Sequence, residues 1–218
     1  ISWYALWTFQ ATSQTPGPLC ASVKHTVTIK RIMEITKDKV LFFDMDGTLI
    51  DTDFANFLSY KKAIESVINL DKEIQYNTNE RFNRTTLKAI APNLTDKEYQ
   101  KIIQRKEENY KEHLPHTKLN KQMADILTKY SKTNKTILVT NCREERAMMT
   151  LNYHKITDKF NSIFCREFDQ NEQKVNKFKN AISRLGVPPN LVIAFENEEK
   201  EISDAKDAEI EIINPKIA

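Results

Sequence analysis

Residues 40–53 read VLFFDMDGTLIDTD and place two aspartates directly after a short apolar run. Val40–Phe43 is rich in β-branched and aromatic residues and shows no polar alternation, which predicts a strand buried on both faces. Asp44 and Asp46 follow at its carboxyl end, where open α/β sheets bind their ligands. The sequence therefore predicts a functional site at the end of this first strand.

The spacing of the two aspartates suits two different chemical roles. One residue separates Asp44 from Asp46 where the chain begins to turn, so one carboxylate can attack while the other moves protons. Gly47 permits a turn too tight for a Cβ atom, and Thr48 can brace the loop by local hydrogen bonds. A solvated acidic turn is the simpler interpretation of a bare Asp-x-Asp, but DMDGT after four apolar residues is far more specific.

Short apolar runs and amphipathic segments alternate along the rest of the chain. The further predicted strands are 137–139, 162–165, 191–195 and 210–213, and the predicted helices among them are 143–154, 174–185 and 199–207. Strands that alternate with helices imply a parallel sheet with right-handed crossovers. The predicted fold class is therefore α/β, with a doubly wound parallel sheet.

One interval, residues 54–132, interrupts this alternation. It contains no strand-like run, its apolar residues return to one side of a helix, and TDKE at 95–98 spells a capping box. We expect a small helical insertion after the first strand, with its last helix, 118–132, returning to the core. The α/β core then comprises residues 33–53 and 133–218.

Residues 1–32 differ from the rest of the chain. They hold both tryptophans and show no sustained helical or strand periodicity. We expect Met33 to be the natural start and the preceding residues to be a leader outside the fold. A secretory signal is the alternative, although polar residues interrupt its apolar stretch. The leader carries three basic residues and no acid, so 30 basic residues balance 30 acidic residues from Met33 onward, which gives nucleic-acid binding little support.

The composition indicates an ordinary globular protein, with 40% hydrophobic and 29% charged residues. Its three cysteines form no Cys-x-x-Cys or Cys/His cluster, which argues against a zinc site or a disulfide framework. No stretch approaches the roughly 18 uninterrupted apolar residues of a membrane span. We therefore expect a cytoplasmic protein without a membrane partner.

The motif DMDGT resembles the first motif of the haloacid dehalogenase superfamily of phosphotransferases, and the resemblance extends from Met33 to the C-terminus. It implies a Rossmann-like core with a helical cap, with Asp44 as nucleophile and Asp46 as general acid and base. Thr140, which ends the run ILVT, resembles the hydroxyl of the second motif, which hydrogen-bonds the transferred phosphoryl group. Asn141 would add a second donor.

The resemblance also implies a lysine that neutralises the phosphoryl oxygens and holds the nucleophile. Lys174 and Lys177 both qualify by their place in the chain. The separation that the family usually leaves before its acidic fourth motif favours Lys174, which lies 22 residues before Glu196. Lys177 remains the alternative.

The fourth motif is where the chain departs from the family pattern. FENEEKEI at 195–202 resembles the family's strand-end acidic pair, but Asn197 replaces the second acid. The resemblance implies Mg²⁺ as cofactor, with Glu201 supporting the site. The implied ligands are Asp44, Asp46, Glu196 and Asn197. An amide oxygen can ligate Mg²⁺ but supplies no charge, so weakened metal binding is expected.

Together these motifs imply a Mg²⁺-dependent phosphatase that hydrolyses a small phosphorylated metabolite through an aspartyl-phosphate. Arg81, Asn83 and Arg84 in the insertion are candidates to bind a second anionic or hydroxylated group, with Arg84 as the predicted substrate contact. One alternative is a phosphomutase of the β-phosphoglucomutase type, which shares the cap and all four motifs. Another is a non-enzymatic protein that binds a phosphate ligand, which Asn197 motivates.

Overall fold

The strands and helices are those of a computed structural model, which describes residues 35–70 and 73–215. The strands are β1 Val40–Phe43, β2 Ile50–Asp51, β3 Lys118–Leu119, β4 Lys135–Val139, β5 Ser162–Phe164, β6 Val192–Phe195 and β7 Glu211–Ile213. The helices are α1 Asp53–Glu65, α2 Arg84–Ile90, α3 Asp96–Tyr110, α4 Lys121–Tyr130, α5 Glu144–Tyr153, α6 Lys177–Leu185 and α7 Glu199–Lys206. Within these residues, no helix has the length and apolarity that crossing a membrane requires. The predicted leader, residues 1–32, lies outside the described residues.

Five parallel strands form the main sheet in the order β5-β4-β1-β6-β7. The apolar β1 lies at the centre with all four side chains buried, and Phe43 stacks on Phe195 of β6 with ring centroids 4.8 Å apart. From β1 the chain builds outward through β4 and β5, and it then crosses to the other side of β1 for β6 and β7. The strand order therefore reverses at β1, which confirms the predicted doubly wound α/β class.

The helices that follow β4, β5 and β6 lie where the sequence predicts them, with one shifted start. Helix α6 begins at Lys177 rather than at Lys174. The side-chain oxygen of Asn176 accepts hydrogen bonds from the backbone N–H groups of the first turn, which caps the helix there. Lys174 instead bridges Phe168 in an antiparallel turn that precedes the helix.

The insertion between β2 and β3 is helical, as its spacing predicts. Thr95 and Glu98 form the predicted capping box at the start of α3, each side chain bonding the other's backbone N–H. Ile64, Leu87 and Ile102 come from three different helices and are fully buried together in an apolar cluster. The insertion therefore has a hydrophobic core of its own.

A two-stranded ribbon joins the insertion to the rest of the fold, because β2 pairs antiparallel with β3. Strand β3 lies inside the interval that the sequence pattern assigns wholly to helix, so that assignment is wrong at Lys118 and Leu119. The last helix of the interval, α4, consequently begins at Lys121. Asn120 caps it by accepting a hydrogen bond from the backbone N–H of Met123 at 3.3 Å. A strand of two residues is too short to leave an alternating pattern in the sequence.

Candidate active site

The carboxyl end of β1 lies where the strand order reverses, and Asp44 directly follows it. The backbone N–H of Asp44 donates to the carbonyl of Phe195 at 3.1 Å, which extends the pairing of β1 with β6 by one residue. On the other side, Thr140 follows β4. Glu196 follows β6. The parallel strands thus bring three of the predicted site residues to the same edge of the sheet.

The turn after Asp44 depends on Gly47, whose φ of +81° is one that residues with a Cβ rarely adopt. A Cβ atom there would also lie 2.9 Å from Nδ2 of Asn197. That Nδ2 donates to the carbonyl oxygen of Gly47 at 2.6 Å. Asn197, a predicted metal ligand, therefore fastens the turn to the end of β6, and a carboxylate in its place would have no proton to donate to this oxygen.

Lys177 is the cation closest to the predicted nucleophile. Its Nζ lies 2.8 Å from Oδ1 of Asp44 and 2.7 Å from Oε2 of Glu196. Burial alone would lower the pKa of Lys177, but Asp44, Glu196 and Glu201 together raise that pKa above its usual range. Burial raises the pKa of Asp44 to about 7, because one shared lysine only partly offsets the desolvation of its carboxylate.

Lys174, the lysine that the family spacing favours, contacts a different acid. Its Nζ lies 2.8 Å from Oε1 of Glu201, and about a third of its side chain is exposed. The preference for Lys174 is therefore wrong about which lysine contacts Asp44, and Lys177 occupies that position. The physical reason is the turn before α6, which places Lys174 ahead of the helix and Lys177 in its first turn.

Asp46 lies among cations. Its Oδ2 is 3.1 Å from the guanidinium of Arg146 and 3.4 Å from that of Arg81, and the hydroxyl of Thr52 donates to its Oδ1 at 2.6 Å. Burial alone would raise the pKa of Asp46, but the two arginines and the hydroxyl hold that pKa well below its usual range. Asp46 is therefore a carboxylate in this arrangement.

Thr140 and Asn141, the two residues after β4, both carry side-chain groups that can donate a hydrogen bond to a ligand. The Oγ1 of Thr140 accepts a hydrogen bond from the backbone N–H of Cys142 at 3.2 Å, so its own proton remains available to a ligand. The Nδ2 of Asn141 donates one of its two protons to Oε2 of Glu201 at 2.6 Å, which leaves the second proton for a ligand. The Oδ1 of Asn141 is buried without a hydrogen-bond partner in the described part of the chain, and it can accept a hydrogen bond but not donate one.

A cavity of about 350 Å³ opens between this edge of the sheet and the insertion. Its charged lining consists of seven cations, Arg81, Arg84, Lys106, Arg146, Arg166, Lys174 and Lys177, and five acids, Asp44, Asp46, Glu107, Glu198 and Glu201. The cations therefore outnumber the acids by two. Such a lining suits an anion, and the volume suits a small one.

Two arginines of this cavity carry positive charge without an acidic partner in the described part of the chain. Within residues 35–70 and 73–215, neither Arg84 nor Arg166 forms an ion pair. The pKa of Arg166 is lowered by partial burial and by the nearby positive charges of Arg84 and Arg143. Like charges held close together are available to an incoming anion.

A second cavity, of about 560 Å³, lies within the insertion. Its lining is mostly apolar and aromatic, and Phe82 contributes to both cavities. The predicted catalytic residues line the smaller cavity and not this one. The larger volume therefore offers room for an apolar group but no reactive side-chain arrangement.

The metal ligands implied by the resemblance do not fit a Mg²⁺ site as they are arranged. Glu196 has both oxygens engaged, Oε2 by Lys177 and Oε1 by two backbone N–H groups. Asp46 has both oxygens engaged by cations and a hydroxyl. Asn197 is held through Nδ2, which donates to the carbonyl of Gly47, and its Oδ1 adds no negative charge to the site. Across residues 35–70 and 73–215, no three His, Cys, Asp or Glu side chains are grouped so that they could hold a metal ion.

Sequence reasoning missed two buried cations of the site. Arg146 lies in the first turn of α5, the helix that follows Thr140, and that position is the signal that could have found it. Lys106 lies on α3 between aromatic side chains, with Nζ 5.3 Å from the ring centroid of Tyr60 and 5.5 Å from that of Tyr110. Burial lowers the pKa of Lys106 to about 8. Its spacing along α3 places it on the apolar face, where a lysine is unexpected.

Solved structures with the same fold come from several bacteria. CbbY from Rhodobacter sphaeroides, in complex with phosphate, has a TM-score of 0.65 at 15% identity and covers 80% of this chain and 84% of its own. A predicted phosphoglycolate phosphatase from Haemophilus somnus has a TM-score of 0.64 at 18% identity, covering 82% and 85%. A protein provisionally described as a β-phosphoglucomutase, from Thermotoga maritima, has a TM-score of 0.57 at 22% identity, covering 80% and 83%. At these identities the similarity shows the fold alone.

The sequence itself matches a protein family over most of its length. Residues 41–214 match the haloacid dehalogenase-like hydrolases, and this range includes every predicted site residue. No curated protein matches the sequence. The match covers well over half of the chain and agrees with the parallel sheet and with the position of Asp44. The chain therefore belongs to the haloacid dehalogenase-like hydrolase family.

Proposed function

We propose that the protein is a phosphatase that hydrolyses a small phosphate monoester through an aspartyl-phosphate on Asp44. One observation carries the proposal. Asp44 lines the anion-binding cavity with Oδ1 held by Lys177, while Oδ2 takes no hydrogen bond within the described residues. A carboxylate that is fixed by one oxygen and open at the other can attack a phosphorus atom in line.

In the first half-reaction, an oxygen of Asp44 forms a bond to phosphorus and the bond from phosphorus to the ester oxygen breaks. Lys177 lies beside the attacking carboxylate and offsets charge on the phosphoryl oxygens. The hydroxyl of Thr140 donates a hydrogen bond to one of these oxygens. The leaving oxygen takes its proton from Asp46, which must carry that proton when the ester is bound, and the alcohol departs.

Asp46 is suited to the second half-reaction as the structure stands. Held as a carboxylate by Arg146 and Arg81, it can take a proton from the water that attacks the aspartyl-phosphate and frees Asp44. To protonate the leaving group in the first half-reaction, it must first weaken these ion pairs. The longer contact, 3.4 Å to Arg81, is the easier one to give up.

The unpaired arginines support an ester whose leaving group carries a second anionic group. Arg84, the predicted substrate contact, lines the cavity together with Arg166, which the sequence analysis did not single out. Arg81, the other arginine considered, is engaged by Asp46 and Asp53. We therefore assign the second anion to Arg84 and Arg166, and we keep a small phosphorylated metabolite of the cytoplasm as the proposed partner.

The test is release of inorganic phosphate from matched esters, assayed both with Mg²⁺ and with excess EDTA. We expect 2-phosphoglycolate, which carries a carboxylate, to be hydrolysed with a higher kcat/KM than ethyl phosphate, which lacks one. Arg84→Ala should reduce this preference, and Arg184→Ala, which removes an exposed arginine outside the cavity, should not. The proposal fails if no ester in a broad panel releases phosphate, or if isomerised phosphate esters accumulate instead.

A further inference from the structure

Two of the four side chains that would hold a metal ion, Asp46 and Glu196, are occupied, and the groups that engage them include two buried cations. Lys177 contacts Asp44 and Glu196 from the core side. Arg146 contacts Asp46 from the side of α5. Both cations line the same cavity as Asp44, where they can offset the charge of a bound phosphoryl group.

Arg146 is built into the fold rather than resting on its surface. Besides its contact with Asp46, its Nε donates to Sγ of Cys142 at 2.8 Å, and its guanidinium lies 5.2 Å from the ring centroid of Tyr110. Only 14% of its side chain is exposed. A guanidinium fixed in three directions is a preorganised cation, and it loses little conformational entropy when an anion binds.

The neutral amide of Asn197 also lowers the need for a metal ion at this end of β6. Its amide donates to the Gly47 carbonyl at 2.6 Å, which a carboxylate cannot do. An aspartate there would place a second anion beside Glu196 and next to a carbonyl oxygen, and it would need a cation to balance it. The neutral amide needs no such cation. Asparagine in place of the second acid and the cation Arg146 therefore both reduce the need for a metal ion at this site.

We propose that this protein binds a tetrahedral oxyanion, inorganic phosphate or the phosphoryl group of an ester, without a divalent metal ion, and that Arg146 and Lys177 supply the charge. The inference rests on the proposed phosphatase function for the location of the anion. It differs from that function in concerning binding alone, which is measured without turnover.

The first experiment is calorimetric titration of the full chain with inorganic phosphate, once in excess EDTA and once in saturating MgCl₂. We expect the two dissociation constants to agree within about twofold. A dissociation constant at least tenfold lower in MgCl₂, equivalent to about 1.4 kcal/mol, overturns the proposal. Absence of phosphate binding in EDTA overturns it as well.

The second experiment removes the proposed cation. In EDTA, Arg146→Gln should weaken phosphate binding at least tenfold, whereas the matched control Arg184→Gln, which removes the same charge from an exposed position, should leave it unchanged. If Arg146→Gln fails to fold, Arg146→Lys keeps the charge but loses the planar donor set, and it should weaken binding about threefold or more. Unchanged affinity in the folded variant overturns the role of Arg146.

The outcomes separate this inference from the proposed function. Phosphate binding in EDTA without hydrolysis of any ester supports the inference and removes the phosphatase. Hydrolysis of esters together with phosphate binding that requires Mg²⁺ removes the inference and keeps the phosphatase.

Discussion

Asp44 and Asp46 are two residues apart, yet their surroundings drive their protonation in opposite directions. On the core side, Asp44 shares the single cation Lys177 with Glu196 and Glu201, and its pKa rises to about 7. On the side of the insertion, Asp46 faces a hydroxyl and two arginines, one of which it shares with Asp53, and its pKa falls well below the usual range. The comparison teaches that the ratio of cations to acids decides which of two neighbouring carboxylates titrates.

This difference assigns separate duties to the two carboxylates. Asp44, the proposed nucleophile, is a stronger base once it is ionised because its pKa is raised. Lys177 limits that rise, so the carboxylate form of Asp44 is present near neutral pH. Asp46, held by two guanidinium groups, is a carboxylate in the structure, and under the proposed mechanism it exchanges a proton with the substrate and water once these contacts weaken.

The largest expected effect comes from removing the charge of Asp44. Asp44→Asn keeps the shape of the side chain but cannot form an aspartyl-phosphate, so phosphate release should fall by about a thousandfold or more. Phosphate binding in EDTA should persist in the variant, because Lys177 and Arg146 remain. Measured turnover within tenfold of the unmodified chain would contradict a covalent mechanism on Asp44.

The two candidate lysines provide the next test. Lys177→Met leaves Asp44 and Glu196 buried without their cation, and it should cost about 3–5 kcal/mol of unfolding free energy and most of the activity. Lys174→Met removes a partly exposed partner of Glu201 and should cost about 1 kcal/mol or less. Denaturant unfolding of both variants measures the difference.

Unfolding free energies that fall equally in the two lysine variants would mean that the partly exposed Lys174 stabilises the buried acids as much as Lys177 does. A folded Lys177→Met variant with unchanged kcat/KM would contradict the role given to Lys177.

The pH dependence of hydrolysis tests the raised pKa directly. Asp44 attacks only as a carboxylate, so kcat/KM should rise about tenfold per pH unit below about pH 7 and level off above it. Asp46→Asn should lower the rate but keep this acidic limb, because the pKa of Asp46 lies far below that range. A profile that stays flat from pH 5 to 8, measured with an ester whose own phosphate ionises below pH 5, would contradict the assignment.

The smallest expected effect concerns the contact between the insertion and Asp46. Arg81→Gln removes one of the two guanidinium groups at Asp46 and should change kcat severalfold, while the acidic limb assigned to Asp44 stays in place. The matched control is Arg105→Gln on α3, whose side chain donates to the carbonyl of Ser66 away from the cavity. Equal effects of the two substitutions would mean that Arg81 acts through packing of the insertion and not through Asp46.

The sequence predicts the sheet and the position of the two aspartates well because both depend on local pattern. The run Val40–Phe43 is apolar on both faces, and a strand of that kind can lie only inside a sheet. Thr140 and Glu196 follow similar runs, so parallel pairing brings all three strand ends to one edge. These residues could be predicted without knowing a single contact.

The choice of lysine and the occupied metal ligands could not be predicted in the same way. Lys174 and Lys177 are three residues apart, and a turn that ends between them decides which one reaches Asp44. Asn176 carried a usable signal, because asparagine is a preferred N-cap and would have started the helix at Lys177. The pairing of Arg146 with Asp46 joins residues 100 positions apart and has no local signature.

The ribbon of β2 and β3 has a mechanical consequence for access to the cavity. Both connections of the insertion run through this one ribbon, and Asn120 ties it further by donating its amide to the carbonyl of Thr48 at 3.1 Å. The insertion also contacts the core away from the ribbon, where the guanidinium of Arg146 lies 5.2 Å from the ring centroid of Tyr110, so a swing about the ribbon has to separate these side chains. Any such swing that widens the entrance stretches the bridge between Arg81 and Asp46. If the insertion opens in this way to admit a substrate, the same motion releases Asp46 from Arg81.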